Sequence, residues 1–327
     1  MLVASVLLGS SYAWSVRRAR ALDADAVDTV RIAATAYIGA CPILMAQANG
    51  YFASEGVAAA IHVEPSGKAA LEGALHGRAD LATVADVPIM FAAVNGEPVS
   101  VVATIATAEK DHGIVGRRDR GIVLPASLKG KRIGVPLGTS AHFFLDAFLN
   151  RQTLSPTDVS LVSVPPEELA GALARGDVDA VAVWQPFLSS SLAALGSAGV
   201  VFHGEAVYDV VYALAGTRDY VAGHSRAVQK VLRAAIRGAR FCNETPDLAR
   251  EHLAKLAPAG AITFKELWPS YRFEVALRQG LLIALEDETR WAMKNELTAE
   301  TDLPNYLNNV DLEPLRVVAP AAVTVVH

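Results

Sequence analysis

From Thr29 onward, short strand-like runs alternate with helix-like segments, and the alternation runs through twice. In the first pass residues 30–35 (VRIAAT), 58–63, 80–84 and 99–104 read as strands, with helices over ILMAQANGYFASEG, 67–76 and 87–94. In the second pass 132–135, 159–164 and 180–183 read as strands, with helices over 141–151, 166–175 and 186–195. Residues 210–215 read as one more strand. Strands separated by helices of this length build parallel βαβ units, so two passes predict two α/β lobes. After His224 the pattern turns helical, through RAVQKVLRAAIRGARFCNE, PDLAREHLAKL, TFKELWPSYRF and VALRQGLLIALEDETRWAMKNEL. Those helices must bury their apolar faces, and the first lobe is the expected place. The expected division is therefore 29–112 plus 213–327 for the first lobe and 113–212 for the second. The glycine-bearing segment 110–127 is the expected first crossing between them, and the tail from Pro304 is expected on the surface.

A chain of 327 residues, 52% hydrophobic and 19% charged, has the apolar content for two packed cores, which excludes disorder for most of its length. Its net charge of -5 offers no broad basic field, so no nucleic-acid partner is expected. Two cysteines, Cys41 and Cys242, are too few for a disulfide scaffold or a cysteine-rich zinc site, and neither metal nor cofactor is expected. Residues 2–16 (LVASVLLGSSYAWSV) carry no charge and are followed by Arg17, Arg18 and Arg20. The run is short for a bilayer span and fits the apolar region of an export signal better. Residues 1–28 are thus expected to be a signal peptide or an anchor-like segment, with a buried terminal helix as the other possibility. The rest reads as an exported, periplasmic or extracytoplasmic protein that meets a membrane only through a partner or an uncleaved N-terminus.

In open α/β sheets ligands bind beyond the carboxyl ends of the strands. Several strand-to-helix junctions here share one chemistry. Pro42 in Gly39-Ala40-Cys41-Pro42 and Pro186 in Trp184-Gln185-Pro186 suit a first helical turn. Asp86, and Thr139 or Ser140 in Gly138-Thr139-Ser140-Ala141-His142, are candidate N-caps, and Ser66-Gly67-Lys68 is a polar turn with a cation. Each junction alone reads equally as an ordinary cap. Helix N-termini expose N–H groups and attract anions, so starts that converge from both lobes would seat an oxyanion. Thr139 and Ser140 would add hydroxyl donors, and Lys68 and His142 charge or further polar donors. Tyr37 and Trp184 would wall the ligand's body. Asp86 would bring negative charge near the cleft. His62 reads as a solvent-facing or satisfied strand residue.

The stretches GTSAHFFLDAFLNR and VSLVSVPPEELAGALARGDVDAVAVWQPFL resemble the second lobe of periplasmic substrate-binding proteins of the nitrate/sulfonate/taurine class of ABC importers. ILMAQANGYFASEGV and GALHGRADLATVADVPIMFAAVNGEPV are similar to the first lobe of the same family, and the likeness runs from about residue 30 to about 315. The resemblance implies a type II periplasmic-binding-protein fold, two α/β lobes with a hinge and a ligand cleft between them. It implies a pocket built from the Tyr37–Cys41 loop with Gly39, from Ser66, Gly67 and Asp86, and from Thr139, Ser140, His142 and Trp184. Tyr212, by its place in the last strand, is expected to reach the cleft. It further implies a binding protein without catalysis, serving ABC permease and ATPase subunits with a small organic or inorganic anion.

Two other functions use the same fold. The fold resembles that of aromatic sulfinate desulfinases, in which a cysteine of the first strand–helix turn is the nucleophile. Cys41 stands at that kind of position, with His62 or His142 as base, although the Arg-Gly-Gly stretch of those enzymes has no counterpart here. A thiamine-pyrimidine synthase of related fold would need a Cys-rich motif that this chain lacks. A ligand sensor is the remaining alternative.

Overall fold

The computed structural model describes residues 27–204, 207–256 and 261–326. The expected leader, with its apolar run 2–16, lies outside the described residues except for Val27 and Asp28, and Asp28 already opens the first strand.

The first pass gives β1 (Asp28–Thr35), α1 (Cys41–Ala48), α2 (Tyr51–Ser54), β2 (Val57–Glu64), α3 (Gly67–Leu75), β3 (Leu81–Ala85), α4 (Asp86–Val94) and β4 (Val99–Ala108). The second gives β5 (His112–Arg117), β6 (Arg132–Val135), α5 (Ser140–Arg151), β7 (Ser160–Ser163), α6 (Leu169–Arg175), β8 (Ala180–Trp184), α7 (Phe187–Leu195) and β9 (Gly199–His203). The chain then returns to the first lobe with β10 (Val210–Thr217), α8 (Arg218–Gly223), α9 (Ser225–Glu244), α10 (Pro246–Leu256), α11 (Ala261–Leu267), β11 (Tyr271–Ala276), α12 (Gln279–Lys294) and α13 (Glu313–Val318). One sheet runs β11-β4-β10-β3-β1-β2 and the other β7-β6-β8-β5-β9. In each, the strand that carries the chain in from the other lobe runs antiparallel to its neighbours: β10 against β3 and β4, β5 against β8 and β9.

Central strands are apolar throughout because helices cover both faces of the sheet. LATVA in β3 and AVAVW in β8 are buried at every position. Helix α9 lies against α1 so closely that a Cβ on Gly238 would sit 1.9 Å from the Pro42 carbonyl oxygen, and Cys242 is disulfide-bonded to Cys41 across this contact.

Four expectations need correction. Segment 110–127 is not only a crossing, since β5 occupies its first half. Its glycines are there for packing: a Cβ would come within 2.8 Å of Leu188 at Gly113 and 2.5 Å of Ile122 at Gly116. Residues 271–276, expected to be helical, form an edge strand on β4, with Tyr271, Phe273 and Val275 inward and Arg272 and Glu274 outward. That alternation has period two, which a helix cannot bury. The tail from Pro304 is not superficial: Tyr306, Asn309, Leu312 and Leu315 are buried, and Asn309 donates to the Val99 carbonyl at 3.2 Å. Strand β10 joins the large sheet from Val210, ahead of the expected boundary at 212.

Candidate functional site

A pocket of about 380 Å³, part of it open to solvent, lies between the lobes where strands of both sheets end. The first lobe contributes Thr35 at the end of β1 and Tyr37 after it, Ser66–Lys68 at the N-cap and first turn of α3, and Thr83–Ala85 with Pro88 where β3 enters α4. The second contributes Thr139 and Ser140 at the start of α5 and Trp184 at the end of β8, and Tyr212 of β10 completes the wall. Among the described residues lining the pocket, Lys68 alone is charged. Its ammonium stands beside the turn before α5, 3.4 Å from where a Cβ of Gly138 would be, so the cation reaches from one lobe to the helix start of the other.

The two helix starts are built differently. Ser66 is an ordinary N-cap whose hydroxyl oxygen accepts from the Ala69 N–H at 3.1 Å. Thr139 occupies the N-cap position of α5 but donates its hydroxyl to the Pro136 carbonyl at 2.6 Å, which fixes the turn instead. Ser140 Oγ lies 2.9 Å from His112 Nε2. The expected hydroxyl donors therefore have partners inside the protein. What α5 offers an anion is the N–H groups of Ser140 and Ala141, that of His142 being taken by the Thr139 carbonyl at 3.0 Å, and the positive end of its dipole. The same holds for Gly67 and Lys68 at α3. Gly67 sits so close to β3 that a Cβ would be 3.1 Å from Val84 Cα.

The aromatic wall is braced from both lobes. Tyr37 belongs to the first lobe by sequence but packs with the second lobe's core, its ring 6.4 Å from Trp184 and 5.8 Å from Phe187. Its hydroxyl donates to the Pro65 carbonyl. Tyr212 lies over Gly39, where a Cβ would come within 2.6 Å of the ring, and donates its hydroxyl to Asp111 at 2.7 Å. Gly39 thus shapes the site from beneath Tyr212.

Three of the expected residues lie elsewhere. Cys41 is fully buried in the bond to Cys242 and does not line the pocket. Asp86 is the first residue of α4, with Ala85 as the N-cap, and does not line the pocket. It accepts from the Val87 N–H, the Val211 N–H and the Tyr208 hydroxyl, and so ties the returning chain to α4. Burial pushes its carboxyl up to about 6, with those three donors holding it down in part. Glu288 of α12, buried beside it, is driven well above the usual range by burial and by the Asp86 charge. His142 faces a second cavity between α5 and the end of α12, and burial lowers its ring to about 4. His62, on β2, is exposed.

Sequence reasoning passed over Asp111 and His112, because they fall in the segment read as a crossing. Two ionisable residues beside the apolar run of β5 were the available signal. Asp111 accepts from both Tyr212 and Tyr271, and burial raises its carboxyl to about 6 against these hydroxyls. His112 Nδ1 lies 3.5 Å from Asp111 Oδ2 and its Nε2 meets Ser140, an order that resembles a charge relay. Burial lowers His112 to about 3, so the ring is neutral and serves to aim the Ser140 hydroxyl.

The NMT1/THI5-like family model matches residues 38–249, more than half of the chain. The chain belongs to the NMT1/THI5-like family. Within the family it is 30% identical over 152 residues to a putative aliphatic sulfonates-binding protein of Bacillus subtilis, covering 45% of this chain and 46% of that protein. It is 28% identical over 150 residues to the taurine-binding periplasmic protein of Escherichia coli, covering 46% of each. The matched part spans less than half the length of these curated relatives. Among solved structures, the alkanesulfonate-binding protein SsuA from Xanthomonas axonopodis pv. citri bound to MOPS superposes with a TM-score of 0.76 at 20% identity, over 88% of this chain and 99% of that one. The fold is accordingly that of the periplasmic binding proteins. More distant likenesses include a 4-amino-5-hydroxymethyl-2-methylpyrimidine phosphate synthase of Schizosaccharomyces pombe, 31% identical over 42% of this chain and 39% of that protein. A DSZB mutant in complex with biphenyl-2-sulfinic acid also shares the fold, with a TM-score of 0.64 at 18% identity over 90% of this chain and 99% of that one.

Proposed function

We propose that this family member is the extracytoplasmic solute-binding component of an ABC importer. It takes a small ligand with an oxyanion head, a sulfonate first and nitrate or a carboxylate next, and presents it to permease and ATPase subunits. The observation that carries this reading is the convergence of two helix starts, α3 and α5, from opposite lobes on one pocket whose lining charge is a lysine. Backbone N–H groups at both starts and the Lys68 ammonium hold the head group. Trp184, Tyr37 and Tyr212 cover the body of the ligand. Relatives bearing sulfonate- and taurine-binding names support the head-group chemistry. The single disulfide supports export, since such bonds persist in oxidising compartments. No helix among the described residues is long and apolar enough to cross a membrane.

The desulfinase-like alternative needs a free thiol at Cys41, and that sulfur is bonded to Cys242. Isothermal titration calorimetry with 1-butanesulfonate, taurine, nitrate, bicarbonate and phthalate tests the proposal, with saturable one-to-one binding of at least one oxyanion expected. Absence of binding across the panel, or sulfite release from an aryl sulfinate, overturns it.

A further inference from the structure

We propose that Asp146 and Trp291 form a latch that holds the two lobes shut over the ligand, the indole N–H donating to Asp146 Oδ1 as the cleft closes. The proposal rests on the ligand-binding reading above. It starts from two buried polar atoms with no hydrogen-bond partner, Asp146 Oδ1 and Trp291 Nε1. The residues are each 7% exposed, so water does not satisfy these atoms freely. A carboxylate oxygen only accepts and an indole N–H only donates, so each supplies what the other lacks. Leaving both unmet costs free energy that their pairing recovers.

They also come from opposite lobes. Asp146 stands on α5 of the second lobe and Trp291 on α12 of the first. The helices already meet here. Asn295, one turn after Trp291, donates to the other oxygen of the same carboxylate at 3.3 Å. The indole packs edge-on against His142 and Phe143 of α5, with centroids 5.1 and 5.2 Å apart. Burial raises the Asp146 carboxyl, Asn295 and the Lys294 charge hold it down, and the Trp291 indole does so more weakly from beyond hydrogen-bonding distance, which places it beside the carboxylate without yet bonding it. Beside these residues a cavity of about 890 Å³, part of it open to solvent, separates α5 from the end of α12 and leaves room for closer approach.

The geometry links the latch to the ligand. Ser140 at the start of α5 lines the pocket, and Asp146 lies six residues along the same twelve-residue helix, about 9 Å away. A helix of that length moves as one body. A ligand that draws the start of α5 toward α3 carries Asp146 toward Trp291 in the same motion. Asp146 and Trp291 are therefore positioning residues for binding, and they touch no ligand.

The test uses the full chain with Trp291→Phe, which removes the N–H and keeps a ring, with Asp146→Ala, and with both. Stopped-flow binding of 1-butanesulfonate is expected to show dissociation faster by about fivefold in each single variant, with association unchanged. The double variant should be no worse than either single one, because both break one bond. Solution scattering should show less compaction on ligand addition in all three. Unchanged dissociation and compaction in Trp291→Phe, or additive losses in the double variant, overturn the latch. If the wild-type chain binds no oxyanion, the ligand-binding reading fails separately. The bond is unmade without ligand, so ligand-free wild type and Trp291→Phe should have equal radii of gyration, and a larger radius in the variant overturns a latch that forms only on closure.

Discussion

Ser140 Oγ sits 2.9 Å from His112 Nε2, so the serine that lines the ligand pocket is held by a histidine buried in the strand beneath it. The contact fixes the Ser140 side chain at the entrance to α5, where no side chain caps the first N–H groups of the helix. A carboxylate at position 140 would set a negative charge against the head group at this point. Ser140→Asp should weaken sulfonate binding by about 2 kcal/mol or more, since like charges a few ångströms apart near a protein surface repel by that much. Calorimetric titration of the variant checks this, and undiminished affinity would place the anion seat elsewhere.

Trp184 is 6% exposed and leans on Tyr37 and His112 at the edge of the pocket. A buried aromatic anchor of this kind contributes strongly when truncated. Trp184→Ala should cost about 2 kcal/mol of binding, and Trp184→Phe clearly less. Dissociation constants that agree within error for wild type and Trp184→Ala would remove this ring from the site.

The Cys41–Cys242 bond closes a loop with a sequence separation of 201 residues and staples α9 to α1. Restricting so long a loop in the unfolded chain stabilises the fold by about 2–4 kcal/mol. Urea unfolding of the Cys41→Ala/Cys242→Ala variant should show that loss. Reductant should lower the midpoint of the wild type and leave the variant where it is.

His142 and His112 are lowered by burial, His142 to about 4 and His112 to about 3. Below the ordinary histidine value the unfolded chain binds protons that the folded one refuses. Their contribution is present above about pH 6.5 and is lost as pH falls toward the folded values. Asp86 and Asp111, both raised to about 6, act in the opposite sense: their contribution is present below about pH 4 and is lost as pH rises through 6. The two trends offset one another between pH 4 and 6, so a single substitution separates them. His142→Phe should remove about 2 kcal/mol of the stability lost between pH 7 and 5. Denaturant titrations of both proteins at the two pH values measure it, and an identical pH difference would mean that His142 takes up its proton in the fold.

Much of the molecule was legible from local pattern. The alternation of β3 with α4 and of β8 with α7 is written in runs such as LATVA followed by DVPIMFAAV, where strand and helix periods change at a polar or proline residue. Ser66, Gly67, Lys68, Thr139, Ser140, Trp184, Tyr37 and Tyr212 could be nominated because they stand at strand ends, and these eight line one pocket. The failures have a common cause. The β5 glycines read as loop because the side chains that fill the space beside them, Leu188 and Ile122, come from outside the strand. Residues 271–276 read as helix because helical segments flank them on both sides.

The sequence by itself determined the βα alternation, the two passes that make two lobes, and the small polar residues at the helix starts, because propensity and periodicity act within a few residues of chain. The tertiary structure alone decided which way each polar side chain points. Asp86 turns to the returning strand, His142 to a second cavity and Cys41 to a partner 201 residues away, each because the group that satisfies it lies far off in the sequence. Burial, hydrogen-bond pairing and the meeting of the lobes are properties of distant segments brought together, and no local pattern encodes them.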